Sequence, residues 1–549
     1  MFKNNPAEKQ FNLIEPYYHF PKYVRDALHN SWAEHFFNSI FSKIDESRFA
    51  VLYSENYSRP NAPVNVVVGL LILKELNGWT DEETIAALYF DYRVQYALGI
   101  SNFDKERICI NTLGNFRGRL YEYSEKHNRD LLGEEVFALT DMLIELSGMD
   151  TKLARQDSMM VSANCKKMGR LELIYTVNAN MVHLLKDKAP DIIPESCTHY
   201  LQDKDKADQI YRLKKEEVPE KIAQLLKESA ELCNHVPDAL KDSRAFKNLT
   251  RLIDEQTSDG HSPKDDKDQS AGNMQNPSEP DATYRKKGNK SGVGYTMNIV
   301  EARDNEKALS MIVHAERQPN IVSDTELGRN TLDGDLKGVE TMVSDGAFYS
   351  QEVVEKAQEK GIELSFSALN GRHAPEGKLG ADQFVIDPKT ELIITCPGGF
   401  TPVSASRDHE KELFYAKFAK ENCGLCPLKY SCISKEQKRF NAVTITKKKL
   451  IADRYRSLLG TAEHQALADF RAGVEGVPSV LRRVYRIDDL PVRGLVRTRI
   501  WDHLKIIAYN FKSFYGYCKR NGASPLSLAH YFRLFSRCFG FGQTPVCYG

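Results

Sequence analysis

The chain has 549 residues, 41% of them hydrophobic and 27% charged, and its 75 basic residues balance its 75 acidic ones. This composition predicts a globular protein of two to four domains and excludes a chain that is disordered throughout. The longest apolar run near the N-terminus is far shorter than the roughly 20 residues of a membrane span, and no secretory signal precedes it, so we expect a cytoplasmic protein.

The first predicted module is a set of short helices joined by tight turns. An apolar stretch stops at Asn77-Gly78, and Thr80 and Glu83 then form a capping box, in which each side chain binds an unpaired backbone N–H. The pattern predicts helices over residues 64–76, 80–90, 93–98 and 111–126. We assign residues 1–130 to an N-terminal helical domain.

The last of these helices carries Arg117 and Arg119, and two interpretations of the module stay open. Short helices with basic residues on the final one fit a helix-turn-helix that enters a DNA groove. The same pattern fits a packed helical bundle that makes no DNA contact. Arg117 and Arg119 are therefore candidate DNA contacts.

An α/β core is predicted after this module. Strand patterns cover residues 152–163, 293–302, 308–316, 340–344 and 362–368, and helical patterns cover residues 169–186, 207–233 and 351–360. Residues 150–370 therefore form the first part of the core, interrupted at about 187–285 by a helical and flexible insertion. We expect residues 255–280 to be its flexible part, because they are polar and nearly free of large apolar side chains.

Two aspartates lie on or beside predicted strands of this core. Asp157 is within or at the edge of the strand in KLARQDSMMVSAN, where an unpaired carboxylate would be costly. Asp345 ends the strand TMVS, at the carboxyl end where open α/β sheets bind ligands. The structural alternatives are a turn aspartate for Asp157 and a helix-capping aspartate for Asp345. Both are candidate metal-binding carboxylates, because Mg²⁺ prefers oxygen ligands.

A third acid, Glu475, lies among arginines in FRAGVEGVPSVLRRVYR. If this stretch is one helix, a single stripe carries the glutamate and three arginines, Arg471, Arg482 and Arg486. A carboxylate flanked by guanidinium groups suits a metal ion next to a phosphate backbone. The alternative is a solvated face with an ion pair inside the helix. Pro478 weakens the one-helix interpretation, since it can kink the helix just after Glu475.

Four of the 11 cysteines form a cluster between the second and third acids. They are Cys396, Cys423, Cys426 and Cys432, and the middle two are the ends of a tight knuckle. Four thiolates would close one tetrahedral, structural Zn²⁺ site. The alternative is four reduced cysteines, as expected for the scattered thiols elsewhere in the chain. We assign residues 371–445 to a Cys-rich β insertion.

Basic residues are concentrated towards the C-terminal end, although the net charge is zero. Residues 471–540 hold 13 Lys and Arg against 4 Asp and Glu. A second basic run, which includes Lys286 and Lys287, directly precedes a core strand. Each surface is either a binding site for DNA phosphates, with an affinity that falls as salt rises, or a solvated face.

In their order and spread, these features resemble the DDE transposases of bacterial insertion sequences. The signature of that group is Tyr-x2-Arg-x3-Glu-x6-Lys, and this chain has Arg471-x3-Glu475-x6-Arg482, with Ala468 in place of the Tyr and Arg in place of the Lys. The helical module and the closing segment, residues 491–514, are also similar to those of the family. The resemblance covers residues 15–520.

The resemblance implies an α/β fold with an RNase-H-like catalytic core, in which residues 446–520 are the closing helices and residues 521–549 a tail. It implies that Asp157, Asp345 and Glu475 bind two Mg²⁺ or Mn²⁺ ions. The implied reaction is DNA cleavage and strand transfer, by in-line attack of water or a 3′-hydroxyl on a phosphodiester.

The implied partners are the double-stranded DNA of the element ends and of the target, and at least one further copy of the chain. The implied location is the prokaryotic cytoplasm, at the nucleoid. Two other functions stay open. One is an RNase-H-like nuclease that does not join ends, and the other is a zinc-containing DNA-binding protein that has lost catalysis.

Overall fold

The computed structural model describes residues 2–5, 19–54, 60–100, 108–258, 262–288, 290–369 and 377–521. Its α-helices are α1 (Lys22–His29), α2 (Trp32–Ser39), α3 (Val64–Asn77), α4 (Asp81–Phe90), α5 (Tyr92–Ala97), α6 (Ile110–His127), α7 (Leu131–Ser147), α8 (Arg170–Lys188), α9 (Val218–His235), α10 (Arg244–Gln256), α11 (Asp324–Asp333), α12 (Gln351–Glu359), α13 (Lys420–Leu425), α14 (Lys447–Leu458), α15 (Ala462–Ala472), α16 (Gly476–Arg483) and α17 (Leu495–Arg520). Its strands are β1 (Leu153–Ser162), β2 (Thr283–Lys287), β3 (Lys290–Asp304), β4 (Leu309–Pro319), β5 (Thr341–Ser344), β6 (Glu363–Phe366), β7 (Val385–Ile386), β8 (Ile393–Thr395), β9 (Ser404–Asp408), β10 (Leu413–Ala419), β11 (Lys435–Glu436) and β12 (Phe440–Thr446). None of these helices is long and apolar enough to cross a membrane. The predicted tail lies outside the described residues except for its first position.

The N-terminal helices pack around α3. This helix is buried along nearly its whole length because it is apolar on every side, and it ends at Gly78, whose φ of 70° is the left-handed conformation that closes a helix. The predicted capping box opens α4: Thr80 Oγ1 accepts from the backbone N–H of Glu83, and the Glu83 carboxylate accepts from that of Thr80. The four helices predicted in this module are confirmed as α3 to α6.

A mixed six-stranded sheet lies at the centre of the fold. Its strand order is β2-β3-β1-β5-β6, and β4 pairs with the remaining length of β3. β1, β3 and β4 are antiparallel neighbours, whereas β5 and β6 run parallel to β1. The five strands predicted for the core are all present, so the mixed α/β class is confirmed.

Helices cover both faces of this sheet. Alternate residues of a strand point to opposite faces. Met159 and Val161 enter a core that is shared with α17 and the N-terminal helices, whereas Ala154 enters a second core under α11 and α12. The helix α17 packs against β4, α7 and α3. It therefore joins the sheet to the N-terminal bundle.

The insertion after β1 is a helical unit, in which α8, α9 and α10 enclose their own apolar core. The prediction that residues 255–280 are flexible is wrong for the described part of that segment. Met274 and Glu279 are buried in it, and the Arg244 and Arg251 guanidinium groups donate to its backbone carbonyls. Composition misled because hydrogen bonds to the backbone, together with the burial of Met274 in the core of the unit, hold the segment in place.

The Cys-rich insertion is a small β unit. A four-stranded antiparallel sheet in the order β11-β12-β10-β9 is flanked by the pair β7-β8. Phe414, Phe418, Val443 and Ile445 form its apolar core. Strands β8 and β10 precede the first and second cysteines of the cluster, so the β character predicted for this insertion is present.

Candidate active site

The register of β1 and β5 places Asp157 and Asp345 side by side. Leu153 lies opposite Thr341 and Arg155 opposite Val343, so two residues further along each parallel strand the two aspartates are level with each other. Residues two apart in a strand point to the same face. Asp157 is 20% exposed and Asp345 is 44% exposed, so the pair lies at an accessible edge of the sheet.

The Asp345 carboxylate does not cap the turn that follows it. Asp345 precedes a short 3-10 helix, Gly346–Phe348, but its side chain accepts no capping hydrogen bond from that helix. A Cβ on Gly346 would lie 2.1 Å from the carbonyl oxygen of Ala368, so the turn requires glycine to pass close to the end of β6. Asp345 therefore does not act as a helix-capping aspartate in this turn.

One guanidinium group holds the two aspartates together. Arg471 Nη2 lies 2.9 Å from Asp157 Oδ1 and 3.9 Å from Asp345 Oδ2. These two carboxylate oxygens are therefore at most about 7 Å apart, the sum of the two distances. The Arg471 side chain is only 15% exposed, and its Nε is buried without a hydrogen-bond partner in the described part of the chain. A cation already lies between the two candidate ligands.

Glu475 lies one helical turn after Arg471 and is exposed. It belongs to a 3-10 turn, Gly473–Glu475, that separates α15 from α16. Pro478 explains the interruption, because it has no N–H to donate to the carbonyl of Val474 and the chain tightens before it. Within the described ranges, no three His, Cys, Asp or Glu side chains are close enough together to hold a metal ion. The structure therefore places Asp157 and Asp345 close together around Arg471. Glu475 is near this arginine in sequence, four residues after it.

The prediction of one continuous stripe is wrong for Arg486. The helix α16 ends at Arg483, and Arg486 has a left-handed φ of 50° outside it. Its side chain is 74% exposed and lies 3.5 Å from Asp489. Arg482 remains on α16, where its guanidinium donates to the carbonyl of Met160 on β1 and lies 3.1 Å from Asp488.

The other candidate DNA contacts differ in accessibility. Arg117 is 11% exposed, is paired with Asp81 and stacks on the Trp501 ring, so its charge is neutralised inside the protein. Arg119 is exposed and lies over the Tyr53 ring. Lys286 is exposed on β2, whereas the side chain of Lys287 is not among the described ones.

The four clustered cysteines line a single cavity of about 160 Å³ in the β unit. Each is half-buried and none forms a disulfide. A Cβ on Gly398 would lie 2.8 Å from Cys426 Sγ, so the chain passes close over one sulfur. The four cysteines surround one cavity. Among the described residues, however, no three of them lie close enough together to hold a metal ion.

Two segments of the chain match models of known protein families. Residues 395–515 match a transposase DDE domain. Residues 27–119, which lie in the N-terminal helical region, match a second family described as a transposase domain. The two matches indicate a DDE-type transposase of the insertion-sequence type. No curated protein and no solved structure matches the chain.

The DDE-domain match contains the cysteine cluster, Arg471, Glu475 and Arg482, whereas Asp157 and Asp345 precede it. One residue at the site was missed from the sequence. Arg155 is buried two positions before Asp157 and contacts the segment that carries Arg471. An arginine inside an apolar strand was the available signal, because a buried charge requires a partner.

Proposed function

We propose that this transposase cleaves DNA at the ends of an insertion sequence and joins the freed 3′-hydroxyl to target DNA, with Asp157, Asp345 and Glu475 as its catalytic carboxylates. The observation that carries the proposal is the parallel register that sets Asp157 beside Asp345, bridged by Arg471. The strand order supports it: β1, β3 and β4 antiparallel, then β5 and β6 parallel to β1, as expected of an RNase-H-like core.

We propose that the carboxylates at this edge bind a pair of divalent cations, on the basis of their chemistry. The donors are all carboxylate oxygens, the ligands that Mg²⁺ and Mn²⁺ prefer. Arg471 already bridges two of them, so the site favours positive charge at that point. Bound divalent ions would stabilise the attacking and leaving oxygens of the phosphodiester. Glu475, exposed on the adjoining turn, is the third ligand that we propose.

Arg471 has a second role in this proposal. A cation held by the aspartates would displace the Arg471 guanidinium group from Asp157. The guanidinium group would then be free to donate to a phosphate oxygen of DNA at the same edge. Arg482, Arg486, Arg119, Lys286 and Lys287 extend the proposed DNA surface. Arg117 is left out because its guanidinium is buried and paired.

The test uses a supercoiled plasmid that carries the coding sequence of the chain with its natural flanking DNA, incubated with the full-length protein and Mg²⁺ or Mn²⁺. We expect breaks at the two element ends and joined products in a second plasmid, with no reaction in EDTA. Breaks without joined products would instead identify a nuclease. Metal-independent binding without breaks would identify a DNA-binding protein that has lost catalysis.

Removing Arg471 is expected to tighten metal binding and to slow the reaction. In Arg471→Gln no guanidinium competes with the cation for Asp157. Mn²⁺ affinity in the absence of DNA should therefore rise about 10-fold, which corresponds to only part of the interaction energy of two close charges. The cleavage rate should fall, because the phosphate contact is lost. Mn²⁺ binding is measured by electron paramagnetic resonance. Arg486→Gln, an exposed arginine on the same surface, is the matched control and should leave Mn²⁺ affinity unchanged.

We also propose that the four cysteines hold one structural Zn²⁺ ion. The supporting observations are that all four line one cavity, all are half-buried and none is in a disulfide. Four protein ligands leave no open position for water, so the ion would stabilise the β unit and take no part in the chemistry.

Replacing Cys426 by serine is expected to remove the zinc and to unfold the β unit, because folding of such a unit is coupled to metal binding. Zinc content per chain is measured by mass spectrometry after purification. Cys233→Ser changes a half-buried thiol in the helical insertion and serves as the control. Equal zinc content in the two variants would rule out this site.

A further inference from the structure

A buried ion pair lies beneath the turn that carries Glu475. Arg155 on β1 and Glu301 on β3 are cross-strand partners, and their side chains are 5% and 1% exposed. Arg155 Nε lies 2.6 Å from Glu301 Oε2. A buried pair of this kind contributes little net stability compared with apolar residues. Its other contacts indicate what it does.

The rest of the Arg155 guanidinium group faces the end of α15. Nη1 donates to the carbonyl of Phe470 at 2.7 Å, and the guanidinium carbon lies 5.1 Å from the centre of the Phe470 ring. Phe470 is in the last turn of the helix, where carbonyls lack full intrahelical partners and attract cations. Arg155 therefore connects β1 to the end of α15.

Gly473 allows this approach. A Cβ at that position would lie 2.3 Å from Arg155 Nη1, closer than non-bonded atoms come. The φ of Gly473 is −64°, an ordinary helical value that any residue adopts, so glycine is needed there for space and not for backbone conformation. Arg155 thus fits against a turn that begins two residues after Arg471 and ends at Glu475.

We infer that Arg155, held by Glu301, is a positioning residue that sets the distance between Asp157 and the turn bearing Arg471 and Glu475. Asp157 is two residues after Arg155 on the same strand and face, so one end of the contact is fixed to the aspartate. The other end is fixed to the backbone at residues 470–473. This inference rests on the proposed catalytic role of Asp157 and Glu475.

Two glycines beside Glu475 provide a matched test. Gly473 and Gly476 both have helical φ, −64° and −62°, but a Cβ on Gly476 would meet nothing within 4 Å. Alanine is the better helix former at both positions. Gly473→Ala in the full-length chain should lower the single-turnover cleavage rate about 10- to 100-fold, as small misplacements of catalytic groups do. It should also raise the Mg²⁺ concentration for half-maximal rate. Gly476→Ala should leave both near wild type.

Arg155→Lys keeps a positive charge for Glu301 but lacks the second nitrogen that reaches Phe470. In an Arg155→Lys background the added methyl of Gly473→Ala no longer meets a guanidinium group. The two changes together should therefore cost less than the sum of their separate effects, which is the signature of coupling between contacting residues. Strict additivity of the two effects would contradict a coupling through Arg155.

Amide hydrogen exchange over residues 466–482, measured without DNA or metal, gives a readout that does not depend on cleavage. We expect faster exchange in Gly473→Ala and Arg155→Lys than in Gly476→Ala. If the two glycine variants exchange alike, the positioning role is overturned whatever their cleavage rates. If exchange separates them but the wild-type chain does not cleave DNA, the positioning role stands and the proposed function fails.

Discussion

Replacing Asp157 with asparagine is expected to slow Mg²⁺-dependent DNA cleavage about 1,000-fold or more, and Asp345→Asn and Glu475→Gln should do the same. Each change keeps the shape of the side chain and removes the charge that binds the cation. Loss of a metal-ion contribution of several kcal/mol at the transition state corresponds to a rate decrease of about this size. DNA affinity should change little, because the basic residues that bind phosphates are intact. Single-turnover cleavage and a gel-shift titration measure the two quantities.

Asp469→Asn is the matched control for these variants. Asp469 is an exposed carboxylate on α15, close to Arg471 in sequence, and it accepts a hydrogen bond from the Gln465 side chain. Its loss should leave the cleavage rate near that of wild type. If any of the three acid variants also cleaves at nearly the wild-type rate, that residue is not part of the catalytic site.

Local features of the fold were predictable from the sequence because short-range rules decide them. The capping box at Thr80 and the helix stop at Asn77-Gly78 depend on neighbouring residues only, and both are present as predicted. The strand around Asp157 was predictable for the same reason, since its apolar character is visible in a short window. Register is different. That Asp157 is level with Asp345 depends on how two strands 188 positions apart align, and no local pattern contains that information.

Errors arose where a local rule met a competing contact. The stripe from Arg471 to Arg486 assumed one helix, whereas the chain tightens before Pro478 and α16 ends at Arg483. Residues 255–280 have the composition of a linker, but arginines from α10 bind their carbonyls. Arg155 was overlooked because its partners, Glu301 and the Phe470 carbonyl, are far away in sequence. In all three cases a long-range contact or a backbone break decided the outcome.

Asp502→Ala is expected to destabilise the chain by about 3–5 kcal/mol, the cost of leaving one partner of a buried ion pair without its counter-charge. Asp502 on α17 binds Arg317 on β4 through two hydrogen bonds of 2.6 and 2.7 Å, and the two side chains are 4% and 1% exposed. Because α17 joins the sheet to the N-terminal bundle, loss of this ion pair should weaken the packing of the sheet against the bundle. Trp501, the neighbouring residue on α17, reports unfolding of this region by its fluorescence in a urea titration.

Two comparisons separate a buried charge effect from a general loss of packing. Asp141→Ala removes one partner of an exposed pair with Lys337, and should cost less than about 1 kcal/mol because surface pairs contribute little. The double variant Arg317→Met with Asp502→Leu removes both charges and should recover most of the lost stability, since apolar residues of similar volume replace buried pairs well. If Asp502→Ala were no less stable than Asp141→Ala, Arg317 would have to gain another counter-charge or reach water. Its position over the Tyr295 ring, at 5.4 Å, with Nη1 already lacking a partner in the described structure, opposes such a movement.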